Sequence, residues 1–120
     1  MSDLKNDLKN LEALRVAVAK VVLKLRKCAD NLDAEDAEKS YNVKVTLANL
    51  NVMFENFKEV LTKFGSNKRY VLQSYARFVG AVDNIYSVYY CFDGIEDLYL
   101  TSTELIDYAT DIVLALLSLS

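Results

Sequence analysis

Three times in succession along this chain, apolar side chains recur at alternating steps of three and four residues. The first series is Leu11, Leu14, Val18, Val21, Leu25, Cys28 and Leu32. The second is Val43, Leu47, Leu50, Phe54, Phe57, Leu61 and Phe64, and the third is Val71, Tyr75, Phe78, Val82, Ile85, Tyr89 and Phe92. Such spacing puts each series on one face of an α-helix and suits long helices packed at shallow angles. Strands would need a period of two and frequent turn residues, yet the 120 residues hold no Pro and only three Gly. An all-α fold follows, as a single helical-bundle domain over residues 1–120.

Helix-boundary chemistry falls between the seams. Ser2 is placed to cap a first helix, and Asp33 a second whose first turns carry Glu35, Asp36 and Glu38. Gly65 suits a left-handed residue after the second helix, with Ser66 or Asn67 capping the third. Asp93-Gly94 ends the third helix, and the capping-box spacing of Thr101 and Glu104 predicts a fourth starting near Ser102. That fourth helix is expected to bury Leu105, Tyr108, Ile112, Ala115 or Leu116, and Leu119. Short connections between helices force antiparallel neighbours. The predicted architecture is an antiparallel up-down bundle of three long helices and a shorter fourth.

Composition removes most enzyme templates. With no His there is no Ser-His-Asp triad, no Cys-His pair and no histidine-ligated zinc; two Cys cannot make a four-cysteine metal site. The expectation is a non-enzymatic protein with no cofactor, no metal and no catalytic residue. Charge throughout the first 30 residues argues against a signal peptide, and the longest apolar run, Ile112 to Leu117, is far short of the ~20 residues that span a bilayer. A soluble, cytoplasmic protein with reduced thiols is expected. Cys28 lies in the first seam as a small core side chain. Cys91 falls off the third seam, on the face of Arg69, Gln73, Gly80, Asn84 and Ser87, so a 28–91 disulfide is disfavoured and a free or oligomer-buried thiol is expected. A close helix contact at Gly80 would explain a glycine inside a helix.

Charge is unevenly spread. Residues 1–77 hold all 14 basic residues with 10 acids, whereas residues 78–120 hold seven acids and no base. Lys9, Lys20, Lys24 and Lys27 form a stripe on the first helix, either a solvated face or a track for phosphates. Glu12 interrupts it and no aromatic interleaves with it. Glu104, Asp107 and Asp111 form an acidic stripe on the fourth helix, which either trades ion pairs with the first helix or docks a basic partner, as an inhibitor-like protein would.

The last features point to contact rather than chemistry. Eight Tyr is a high count, and Tyr75, Tyr86 and Tyr90 line one edge of the third helix. Residues Ile112 to Leu117 are apolar all round the helical wheel, more than one packed face requires. Some of Val113, Leu114 and Leu117 therefore need another cover, and a symmetric homodimer is the commonest one. The leading expectation is a protein–protein interaction module that self-associates through Tyr75, Tyr86, Tyr90, Val113, Leu114 and Leu117. The alternatives are a small nucleic-acid-associated subunit using the lysine stripe, or an acidic protein docking a basic partner.

Overall fold

The computed structural model describes residues 2–118 and is all-helical, with no strand among them. The four main helices are α1 (Ser2–Asn31), α2 (Ala37–Phe64), α3 (Lys68–Asp83) and α4 (Ile95–Ser118). A 3-10 turn at Ala34–Asp36 joins α1 to α2, and a 3-10 segment at Asn84–Cys91 follows α3. α1 and α3 each pack against both α2 and α4, and among the described residues the backbones of the diagonal pairs, α1 with α3 and α2 with α4, do not approach closely. This ring of neighbours is that of a helical bundle, 53 × 23 × 17 Å.

The seams enter the core much as their spacing predicts. Leu14, Val18, Val21 and Leu25 of α1 and Val43, Leu50, Phe54 and Phe57 of α2 are buried. Val71, Phe78 and Val82 of α3 meet them, with Leu105, Ala109 and Ile112 of α4. Burying each larger side chain contributes about 1.5–3 kcal/mol. The Phe57 and Phe78 rings stack at 5.7 Å, Phe54 tilts against Phe78 at 6.0 Å, and Tyr75 lies 6.4 Å from Phe57. This aromatic layer joins α2 to α3. At the far end of α2 the seam frays: Phe64 is largely exposed and meets Tyr70 edge-on at 5.6 Å.

The third seam does not run as one helix to Phe92. After Asp83 the backbone tightens into the 3-10 segment, with a non-helical residue at Val88 (φ −114°, ψ 38°). Side chains three apart eclipse in a 3-10 helix. Ile85 and Val88, three apart, are both buried with Val82 of α3, and Tyr89, which the α spacing places inside, lies just past the kink and is 62% exposed. Residues 85–91 read Ile-Tyr-Ser-Val-Tyr-Tyr-Cys, β-branched and aromatic types that favour an α-helix least among ordinary residues. Local preference thus offers little resistance to the tighter turn.

The fourth helix also departs from expectation. It begins at Ile95, seven residues before Ser102, and α3 is the shorter helix. Leu98, 1% exposed, draws the first turn onto the core, where Glu96 and Asp97 suit the positive end of the helix dipole. Thr101 and Glu104 therefore sit inside the helix and form no capping box. Ser102 is buried, and its hydroxyl alone among the described buried side-chain polar atoms has no hydrogen-bond partner.

The caps divide. Asn67 caps α3, its side chain accepting from the Tyr70 amide at 3.2 Å. Asp33 takes the extended cap position of the 34–36 turn without a side-chain bond. Gly65 ends α2 in the right-handed region (φ −59°, ψ −24°), so no left-handed residue is needed there. Gly80 has no close neighbour: an added Cβ would meet nothing within 4 Å. The expected Ser2 cap and Leu119 contact fall outside the described side chains.

Candidate functional site

The two cysteines are joined. Cys28 of α1 and Cys91 at the end of the 3-10 segment form a disulfide, with Cα atoms 5.5 Å apart and no free cysteine remaining. This corrects the expectation of reduced thiols and of a free or oligomer-buried Cys91. The reason is a break in the helix. On a continuous α-helix Cys91 points away from the core, whereas the chain leaves the α path after Asp83 and kinks at Val88, and beyond the kink Cys91 faces Cys28.

Around this link the elements are tied by polar contacts. Lys24 Nζ donates to Asp97 Oδ2 at 2.5 Å and lies 5.0 Å from the centre of the buried Phe92 ring. The hydrogen bond from Lys24 chiefly, and secondarily that from the Asp93 amide, holds the Asp97 carboxyl below its usual pKa. The Tyr90 hydroxyl donates to the Lys39 carbonyl at 3.1 Å, and Lys39 Nζ lies 5.3 Å from its ring. Burial pushes the Tyr90 phenol up, helped by Tyr89 and by the acids Asp36 and Glu38.

An open groove of about 550 Å³ lies over the disulfide. Lys20, Lys24 and Lys27 line it with Leu23, Tyr90 and the two cysteines. Three of the four stripe lysines thus share one groove with the disulfide, and Lys9 lies on the same helix outside it. Lys24 is committed to Asp97; no ion pair of Lys20 or Lys27 occurs among the described residues. A smaller crevice of about 130 Å³ brings Lys20 and Lys24 beside Glu104. The acidic stripe thus borders α1 at one end, while Asp107 and Asp111 stay exposed without ion pairs among the described residues.

The residues expected to form an interface are scattered. Val113 is 3% exposed, buried in its own chain's core. Tyr75 is half-buried, and its hydroxyl shares a 2.6 Å hydrogen bond with Thr110 of α4. Leu117 packs partly against the core, and Tyr90 is held by Lys39. Tyr86 and Leu114 remain exposed. The all-round apolar end of α4 is therefore covered mainly from within, because Ile112 and Val113 both face the core.

A different apolar stripe is open. Tyr41, Val45 and Val52 of α2 are 68%, 48% and 60% exposed, and Ala48 between them is exposed too. At 100° per residue these four occupy the face opposite Val43, Leu50 and Phe57. From Ser40 to Phe54 the chain carries one charge, Lys44. The 41, 45, 48, 52 spacing was readable in the sequence, but it runs parallel to the stronger core seam of the same helix.

No cluster of three or more potential metal ligands occurs among the described residues, and none of their helices is long and apolar enough to cross a membrane. Compared with known proteins, the chain matches no family model, no curated protein and no solved structure.

Proposed function

We propose that this chain is a non-enzymatic helical module that works through protein–protein contact, its first partner being a second copy of itself met through the outward face of α2. The observation that carries this reading is the exposed, heptad-spaced stripe of Tyr41, Val45, Ala48 and Val52 in a stretch with a single charge. A solvated helix face is ordinarily charged, and interface centres are depleted of charge and enriched in Tyr. An antiparallel two-fold pairing sets Tyr41 against Val52 and Val45 against Ala48, which is self-complementary as a symmetric dimer requires. Exposed Leu114 and Tyr86 are secondary contacts in this reading, since Val113 and Tyr75 are used internally.

The reading includes an up-down-up-down course for the four helices. The Lys24–Asp97 pair, and the crevice in which Ala17 and Lys20 lie beside Glu104 and Leu105, support opposite directions for α1 and α4, since moving forward along one moves backward along the other. Light scattering over a range of protein concentrations tests the dimer. The wild type is expected at twice the 13.6 kDa chain mass, and a folded variant with Val45→Asp and Val52→Asp at the single mass. A wild-type monomer throughout would overturn the reading.

A second reading rests on Lys20 and Lys27, exposed and without ion pairs among the described residues. Together with Lys9 they would hold a nucleic-acid backbone, with binding that falls steeply as salt rises. Absence of binding at low salt to single and double strands removes it.

A further inference from the structure

We propose that the Cys28–Cys91 disulfide is a reversible redox site that sets the helical register of residues 84–92. Two hydrophobic registers are written over one stretch of chain. In the α register Ile85, Tyr89 and Phe92 continue the seam of Val71, Tyr75, Phe78 and Val82. In the observed form the chain leaves the α path after Asp83, Ile85 and Val88 are buried, and a kink at Val88 separates them from Tyr89, which is exposed, and from Cys91, which reaches Cys28. The cross-link is compatible only with the second, because the α register turns Cys91 to the back face shared by exposed Gly80, Asn84 and Ser87. Opening the disulfide therefore removes the constraint that selects the 3-10 form. The extended α-helix then buries Tyr89 and moves Val88 to the edge of the core.

The surroundings suit exchange. Both cysteines line an open groove and are only partly buried, which leaves a path for a reductant. Lys20, Lys24 and Lys27 line the same groove, and neighbouring cations favour the thiolate form of a released cysteine. The co-reactant is a dithiol. One of its thiolates attacks a cysteine sulfur, the S–S bond breaks, and the other cysteine leaves as a thiolate that takes up a proton. The second dithiol sulfur then displaces the first cysteine, so two electrons and two protons enter the protein and the dithiol becomes a cyclic disulfide. This inference does not depend on dimerisation through α2.

Tyrosine nitration read by mass spectrometry tests it. In the oxidised wild type Tyr89 and Tyr41, which are 62% and 68% exposed, are expected to react comparably. In a C28S/C91S variant, which has no thiol to consume the reagent, Tyr89 is expected to react several-fold less while Tyr41 is unchanged. Wild-type protein reduced with dithiothreitol is expected to show slower amide hydrogen exchange across residues 88–92 than the oxidised form. Unchanged Tyr89 reactivity in a folded variant overturns the proposal, as does exchange that is equal or faster on reduction. Global unfolding of the variant also overturns it, since the disulfide would then be a structural staple alone.

Discussion

The two parts of the third helical segment began with the same pattern and ended differently. Over Lys68–Asp83 the heptad seam forms an α-helix with Val71, Phe78 and Val82 buried. Over Asn84–Cys91 the seam continues in the sequence, but the backbone tightens to 3-10 turns with a kink at Val88 and leaves Tyr89 outside. The difference lies in what each part packs against. α3 meets the broad aromatic face of α2, where Phe54 and Phe57 engage Phe78 on an α-helical pitch. The 84–91 segment is held by separate contacts instead: Ile85 and Val88 enter the core, the Tyr90 hydroxyl bonds to the Lys39 carbonyl, and Cys91 is linked to Cys28. Periodicity is decisive where a face is matched by a face, and ambiguous where several separate contacts compete with it.

Paired truncations give the largest test of this comparison. Phe78→Ala removes a fully buried ring from the α2–α3 layer and is expected to cost about 3–5 kcal/mol in urea unfolding. Tyr89→Ala, at an equivalent seam position in the sequence, is expected to cost no more than about 0.5 kcal/mol in the oxidised protein because its ring is on the surface. Similar penalties for both would place Tyr89 in the core and break the contrast.

Val88→Ala sharpens the comparison from the other side. Val88 is fully buried at the kink, whereas a continuous α-helix would set it at the edge of the core. Loss of its two methyl groups with partial relaxation of the site is expected to cost about 2 kcal/mol. The penalty is expected to shrink in reduced protein, where Val88 moves to the edge of the core. A penalty independent of redox state would tie Val88 to one register.

Gly80→Ala probes the α3 part alone and has the opposite sign. Gly80 lies inside the helix with open space beside its Cα, so an Ala there meets no neighbour. The substitution is expected to stabilise the protein by about 1 kcal/mol by reducing the entropy lost on folding. Destabilisation would show that a second chain approaches this face, the contact that a mid-helix glycine suggests from sequence.

How far the chain could be read from its residues follows from the same distinction. The seams of α1 and α2 were legible because each is long, and the buried faces dominate their neighbours. Asn67 was legible as a cap because its bond to Tyr70 is local. The start of α4 was not, since Thr101 and Glu104 carry valid capping spacing and only the tertiary burial of Leu98 outweighs it. The disulfide was hidden for a related reason: the direction of Cys91 depends on where the helix breaks, and the kink at Val88 is set by tertiary contacts rather than by a Gly or Pro in the sequence. Val113 was assigned to an interface because a helical wheel shows that a helix is apolar all round, but not how deeply its neighbours enclose it. The exposed stripe on α2 was present in the spacing of Tyr41, Val45, Ala48 and Val52, beneath the larger residues of the adjacent seam.

The smallest expected effect separates the covalent link from the polar contact beside it. Asp97 pairs with Lys24, which also covers Phe92, so this contact ties α4 to α1 next to the end of the 84–91 segment. The bond from Lys24 holds the Asp97 carboxyl below its usual value. A carboxylate whose folded pKa is depressed contributes stability that is fully present above its unfolded value of about 3.9 and is lost as pH falls through the folded value. Both side chains are 36% exposed, so solvent and salt screen the pair, and its contribution is about 0–1 kcal/mol. Asp97→Asn is therefore expected to lower stability slightly at pH 7, to flatten the wild type's decline below about pH 4 and to reduce its sensitivity to salt. Urea midpoints across pH and ionic strength read all three. If the variant matches the wild type in every condition, the disulfide alone holds this end of the bundle and the ion pair merely accompanies it. If the variant's deficit at pH 7 is larger in reduced protein, the ion pair and the disulfide secure the same contact between α1 and the segment that follows α3.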